Sequence, residues 1–500
     1  MGNKIGIIDI GSNSVRLLLA EIGEKKSIRI INELKEYVRL GDGLDKDNIL
    51  SEEKIDLAIK TLSTYKNICD SFKVSEIIVV ATEAVRRATN RTEFLIRAKA
   101  IGLDIRVLTG TQEAYYDYFS TINSINVTNA ILMDIGGAST EIILVKNRKL
   151  IKSISFPFGA ITLTEHFQIN DVLDEEKENS IINYLKEKLN TLDWLKQATG
   201  FPLIGIGGSI RTVGKIQKKA VNYPLNLIHN YELKYTDVLG IYESVKTKNN
   251  AQRKKIKGLS GDRADIFVGA AALVKTLMEL CSIKTLKISR NGIREGLLYS
   301  HICENDTPID NILSFSIDNI LFNHNMDSVH SKHIYNLFKS LSIELKDLID
   351  NDEDLDNIIK TAAMLHDIGS NITYYFHHKH SLYMILNSQI YGLSHRELVM
   401  SACIAANHRD DNLPIDYQEY RAILSKEDLI LIRKLGILLK LSESLDKSMT
   451  CQVKDLTCAI HKDSVIIKTI STTTAFIEIR EALNCSDTFK DIFNKKLYVV

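Results

Sequence analysis

The sequence predicts a duplicated α/β fold, two similar domains facing one another, followed by a helical domain and a small end piece containing strands. Three observations carry this. A strand, acid, turn, strand pattern occurs twice, with Asp134 repeating Asp9 at an offset of 125 positions. A glycine-rich strand-to-helix turn follows between residues 202 and 215. Beyond about residue 305 the apolar spacing turns helical, and after Val453 it alternates. With 500 residues, 45% hydrophobic and 25% charged, the chain is large enough for several cores and excludes a disordered, collagen-like or long coiled-coil protein.

The first element is the apolar run Lys4 to Ile10, with an acid near its end, then the polar turn Gly11-Ser-Asn-Ser14 and the apolar run Val15 to Ile22. The second copy runs from Ala130 to Val145 and pairs Ile10 with Ile135, Gly11 with Gly136 and Ser14 with Ser139. Two such turns can aim backbone N–H groups and hydroxyls at one phosphate chain, and an acid ending each strand at the same register suits a phosphate–metal site. The third element, Pro202 to Lys215, reads as a strand entering a helix with Ser209 as its N-cap, and helix N-termini attract phosphate. No G-x-x-x-x-G-K-[ST] occurs, so a P-loop nucleotidase is not supported.

Lys+Arg and Asp+Glu each number 63, so no global basic field points to nucleic acid. A polyanion would need local patches, for which Arg253 to Lys257 and Arg263 are the candidates. The seven cysteines are odd in number, scattered and never spaced C-x-x-C, which fits neither a disulfide framework nor a zinc knuckle and leads us to expect a reducing cytoplasm. No uncharged apolar stretch reaches 18 residues and Asp9 interrupts the N-terminal run, so neither secretion nor a membrane span is expected.

Six segments carry a resemblance: Asp9 to Ser14, Ala81 to Arg86, Thr109 to Ala114, Asp134 to Glu141, Gly205 to Ser209 and Asn291 to Gly296. Their order and spacing resemble the exopolyphosphatase/guanosine pentaphosphate phosphohydrolase (Ppx/GppA) family, closely over residues 4 to 300 and more loosely beyond. The resemblance implies an actin-like, sugar-kinase-like ATPase fold of two ribonuclease H-like domains, with domain I at 1–125 and domain II at 126–305. It places Glu113 as the base that activates water, with Glu141 as a second catalytic acid. Asp134, Glu141 and Asp9 would hold Mg²⁺, which prefers oxygen ligands and keeps several waters. Asn13, Ser14, Arg86, Gly136, Gly137, Ser139, Gly208 and Ser209 would contact the terminal phosphates, Arg86 through fork-like hydrogen bonds. One departure is Ala138, where the family has a third glycine, which disfavours positive φ there.

Residues 306–450 resemble an HD-type all-helical domain, with residues 451–500 as a small α+β end piece. The candidate residues are His330 or His333, the pair His366-Asp367, His378 and His380 within His377-His-Lys-His380, and His408. In an active HD phosphohydrolase a first His, the His-Asp pair and a late Asp clamp a metal. Here Glu443 stands at the place of the late Asp, or Asp446 supplies that ligand. The alternatives are a structural hydrogen bond within the His-Asp pair and histidines that bind phosphate. Two strands are expected at Ser464 to Ile470 and Thr474 to Ile479.

The expected function is a cytoplasmic Mg²⁺-dependent exopolyphosphatase acting on inorganic polyphosphate. Its rivals are a guanosine pentaphosphate 5′-phosphohydrolase, a low-turnover phosphate or nucleotide sensor, and an actin-like kinase. Intact Glu113, Asp134 and Glu141 speak against the sensor. The resemblance also implies a homodimer; nucleic acid and membrane are not expected partners.

Overall fold

The computed structural model of the chain describes residues 2–44, 48–410, 412, 414–471 and 473–500. Contacts divide the chain into two units, one running to Asn222 and resuming at Ile228–Asp310, the other formed by Tyr223–Leu227 with Asn311–Val500.

In the first unit, the near-continuous apolar run of β1 (Asn3–Ile10) makes it a central strand, with Ile5, Ile7, Ile8 and Ile10 fully buried. It runs antiparallel to β2 (Val15–Ile22) and parallel to β4 (Glu76–Ala81). With β3 (Ile28–Glu36) and β5 (Ile105–Val107) the sheet order is β3-β2-β1-β4-β5. The second copy repeats this order: β8 (Lys149–Phe156), β7 (Thr140–Lys146), β6 (Ala130–Ile135), β9 (Leu203–Ile206) and β11 (Thr285–Ile288), with β10 (Tyr231–Lys234) added antiparallel to β11.

The duplication extends to single bonds. Gly11 N–H donates to Ser14 O at 3.0 Å, and Gly136 N–H donates to Ser139 O at 3.0 Å. Asp9 pairs across its hairpin with Arg16, and Asp134 pairs with Glu141, so Arg16 is the first copy's counterpart of Glu141. One half thus offers an acid beside a base and the other an acid beside an acid. Ala138 sits at a negative φ, so the departure from glycine introduces no strain.

The second unit is helical from Ile312–Asn323 to Lys426–Ser444. The periodic segment expected from Ser328 to Leu348 forms Ser328–Glu344 and a short helix Lys346–Ile349, and that from Leu355 to His366 forms Asp356–Leu365. The unit ends in a sheet ordered β12 (Val453–Ile460), β13 (Ser464–Ser471), β14 (Lys496–Val499). Strand Ser464 to Ile470 is therefore present, but Thr474 to Ile479 is not a strand: a helix occupies Phe476–Leu483. Alternation misled there because Phe476 and Ile477 are exposed while Glu478 is buried, opposite to an apolar strand face. One hydrophobic cluster runs from the helices through Val453, Val465, Ile467, Phe489 and Val499.

Candidate active site

The two turns face each other across a cleft of about 130 Å³ lined by Asp9, Asn13, Ser14, Arg16, Glu113, Asp134, Gly136, Gly137, Ser139, Glu141, Gly207, Gly208 and Arg263. Ten of the residues expected at the active site therefore come together in one place. The amides of Gly11 and Gly136 close the turns, whereas those of Ser12, Asn13, Gly137 and Ala138 make no backbone turn bond and remain for a ligand.

Glu113 is delivered by the helix Gly110–Ile122, whose start is fixed by a capping box between Thr109 and Gln112. Gly110 is required because a Cβ there would run into Ser155. That serine in turn donates to Glu141 at 2.6 Å, so the helix that carries Glu113 and the carboxylate of Glu141 are braced against one strand. One turn beyond Glu113, on the same helix face, lies Asp117, fully buried and reached by no protein donor at either oxygen. Sequence reasoning missed it; its spacing of four from Glu113 was the available signal. Arg16 was missed too, though the 125-residue offset from Glu141 points to it.

Four carboxylates, Asp9, Glu113, Asp134 and Glu141, thus line this cleft, and a fifth, Asp117, lies buried within electrostatic reach of all four. Burial raises the pKa of each: Glu113 is pushed up to about 7, and Asp117 and Glu141 go well above the ordinary range as neighbouring carboxylates add to the burial effect. Such a set is best stabilised by a divalent cation, and the unpartnered buried oxygens of Asp9 and Asp117 provide acceptors for it or its waters. Among the described residues no three of these acids bring oxygens within 4.8 Å of one another, which suits an ion that retains its hydration shell.

Two expected phosphate contacts are placed differently. Arg86 does not line the cleft; its guanidinium donates to Glu113, to Glu83 and, at 2.6 Å, to Leu108 O. Ser209 is not an N-cap, because β9 passes straight into a helix at Gly207 with Ile206 as N-cap. Its hydroxyl lies buried behind the cleft, 3.5 Å from the guanidinium of Arg263. Gly207 has φ +84°, and a Cβ on it would overlap Asp134, while one on Gly208 would overlap Arg263.

The candidate basic run splits. Arg253 is fully buried, its side chain donating to the carbonyls of Val245, Asn170 and Asp171, so it is a structural brace. Arg263 instead lines both the cleft and an adjoining cavity of about 450 Å³. Seven Arg or Lys side chains (Arg16, Lys35, Arg211, Lys215, Arg263, Arg290, Arg294) surround that cavity against Glu33, Asp262 and Glu295. Burial and the neighbouring cations push Lys35 down to about 8 and Arg211 down to about 10, the mark of a surplus of positive charge.

In the helical unit, Asp367 is met by His377 Nε2 at 2.9 Å, His366 Nε2 at 3.5 Å, His408 Nε2 at 3.7 Å and His330 Nε2 at 4.0 Å. His378 and His380 lie outside this cluster; His377, one residue earlier, takes the place because it opens the helix His377–Asn387. Glu443 is engaged by Arg409 at 2.7 Å and Lys447 at 3.3 Å, whereas Asp446 takes His330 Nδ1 at 2.9 Å.

Residues 18–304 match the Ppx/GppA phosphatase family, and residues 312–484 match Ppx/GppA phosphatase domain III. Two similar proteins, from Pseudoalteromonas atlantica and Pseudoalteromonas translucida, bear the name guanosine-5′-triphosphate,3′-diphosphate pyrophosphatase. They are 28% and 29% identical over 87% and 82% of this chain and 86% and 81% of their own. Among solved structures, the Aquifex aeolicus Ppx/GppA family member is 31% identical with a TM-score of 0.54, covering 60% of this chain and 97% of its own. An exopolyphosphatase from Cytophaga hutchinsonii is 26% identical with a TM-score of 0.56, covering 60% and 98%. With two facing glycine-rich turns, a buried carboxylate set and a family match over more than half its length, the chain belongs to the Ppx/GppA phosphatase family and is a hydrolase of phosphoanhydrides.

Proposed function

We propose that this protein is a Mg²⁺-dependent exopolyphosphatase that releases orthophosphate from the end of inorganic polyphosphate, with Glu113 as general base. The observation that carries the choice of substrate is the cation-lined cavity joined to the carboxylate cleft through Arg16, Gly208 and Arg263. Its seven cations suit a repeating anion, and Tyr37 is the one aromatic side chain on its wall.

The terminal phosphate sits between the turns, held by the amides of Asn13 and Gly137 and the hydroxyls of Ser14 and Ser139. Asp9, Asp134 and Glu141 would hold Mg²⁺ through their oxygens or its waters. When bound, that ion offsets charge on the phosphoryl oxygens. Glu113 accepts a proton from a water in line with the terminal phosphorus; the new P–O bond forms as the bond to the bridging oxygen breaks, and the shortened chain leaves. Arg86 keeps enough of Glu113 ionised for this role.

A second reading, removal of a terminal phosphate from guanosine pentaphosphate, is favoured by the two relatives of that name, which align with most of the chain. Phosphate release from long-chain polyphosphate and from guanosine pentaphosphate, with Mg²⁺ and after EDTA, separates the two. A higher kcat/KM on polyphosphate, lost with EDTA and in Glu113→Gln, is the expected result. Preference for the nucleotide overturns the polyphosphate assignment, and activity surviving in Glu113→Gln overturns the base.

A further inference from the structure

A buried histidine beside the cation-lined cavity is used by neither the turns nor the carboxylates. His229, 7% exposed, stands two residues ahead of β10 and bridges two other segments: its Nε2 lies 3.2 Å from Ser124 O, and the backbone N–H of Arg290 reaches its Nδ1 at 3.3 Å. We propose that His229 is a positioning residue for binding of the anionic chain, a role that rests on polyphosphate being the substrate: it ties the end of the Glu113 helix to the segment that sets Arg290 and Arg294 on the cavity wall.

The two partners fix one form of the ring. A carbonyl only accepts and an amide N–H only donates, so Nε2 carries the proton, Nδ1 presents its lone pair and the imidazole is neutral. A Phe ring would fill much the same space but make neither bond, and the two bonds run to different elements. Ser124 lies just past the helix Gly110–Ile122 and is itself buried, its N–H donating to Thr121 O at 3.1 Å. Arg290 lies between β11 and the helix Ile293–Ile302.

Those two helices already touch backbone to backbone, since a Cβ on Gly296 would overlap Tyr116 O. The residues between β11 and Ile293 are held one bond at a time. Ser289 N–H donates to Gly205 O at 2.8 Å, Arg290 N–H donates to His229, and Arg290 O accepts from Arg211 Nη1 at 2.6 Å. With its backbone caught on both sides, Arg290 extends Nη2 to 3.1 Å from Glu33, and Arg294 Nη2 comes to 3.8 Å from the same carboxylate. Arg211, Arg290 and Arg294 all line the cavity. Without the ring's lone pair the Arg290 amide loses this acceptor, the local backbone shifts, and the guanidinium leaves its place against the chain.

Three variants separate bonding from shape. His229→Phe keeps a flat ring and loses both bonds, His229→Asn keeps an acceptor near the place of Nδ1, and His229→Gln keeps a donor near that of Nε2. The readouts are KM and kcat on long-chain polyphosphate and on tripolyphosphate, with the unfolding midpoint in denaturant. The Phe and Gln variants should raise KM for the long chain by about fivefold at unchanged kcat, and Asn should restore it to within about twofold of wild type. In an Arg290→Ala background, His229→Phe should change KM no further. An unmoved KM in folded His229→Phe, an equal rise in all three variants, a rise that persists in full without the Arg290 side chain, or a fall in kcat alone overturns the proposal. If His229→Phe does not fold, the contrast between Asn and Gln decides. A wild type that prefers guanosine pentaphosphate overturns the substrate assignment instead, and the same variants are then scored on KM for that nucleotide.

Discussion

Arg86 donates to Glu113 through Nη1 and to Glu83 through Nη2, tying the buried carboxylate of Glu113 to a guanidinium 27 positions upstream. Burial drives Glu113 up to about 7, and Arg86 is the main influence pulling it back down. The arginine thus balances the charge of Glu113, and it is the turns and Arg263, not Arg86, that line the cleft.

Replacing Arg86 by Gln removes that lowering influence. The acid limb of the kcat/KM profile should move to higher pH, with a loss of about tenfold or more at pH 7 that narrows as pH rises and Glu113 ionises. A raised KM with an unmoved pH profile would instead return Arg86 to a direct phosphate contact.

The duplicated halves were legible because the strand, acid and turn recur at one offset, and that repetition survives as identical turn bonds at Gly11 and Gly136. Arg16 and Asp117 were not picked out, since an Arg on a strand and an Asp in mid-helix look ordinary until the fold brings them beside Asp9 and Glu141. In the helical unit the histidine-rich run was visible, but which of His377, His378 and His380 faces inward depends on where the helix begins, a boundary that composition does not mark. Likewise Glu443 and Asp446 lie three apart at a helix end, and only the placement of Arg409 decides that Glu443 is occupied.

Gly207→Ala tests the close approach of two elements behind the site. The residue sits at φ +84° and its added Cβ would strike Asp134. A stability loss of about 1–3 kcal/mol is expected from the backbone alone, together with loss of activity because Asp134 must shift. Gly200→Ala, also at positive φ but with open space around it, should cost stability without costing kcat.

The helical unit carries a pH-dependent contribution at Asp428. Burial alone would raise this carboxyl, but hydrogen bonds from Arg396 and the cap at Ser425 outweigh it and hold the pKa below the ordinary value. A carboxylate depressed on folding stabilises above its unfolded pKa of about 3.9, and that contribution fades as pH falls through the folded value. Asp428→Asn should therefore cost about 1–2 kcal/mol at pH 7, read from denaturant unfolding of this unit, and the gap to wild type should shrink below about pH 4. A gap that is constant from pH 7 to pH 3 would show that shape, not charge, matters here.

The cation-lined cavity makes its own demand on substrate length. Lys35 and Lys215 lie on its wall, which Glu113 does not reach, and both are lowered by burial and by neighbouring cations. A bound polyanion relieves that repulsion, so neutralising either lysine weakens binding of whatever lies in the cavity. Lys35→Gln and Lys215→Gln should each raise KM for long-chain polyphosphate by up to about fivefold, with kcat unchanged and tripolyphosphate hardly affected. The double variant should also show a shallower dependence of KM on salt, because fewer ion contacts are left to screen. Equal losses on short and long chains would mean that the cavity acts on the reacting phosphate itself, and no loss on either would leave the chain running elsewhere.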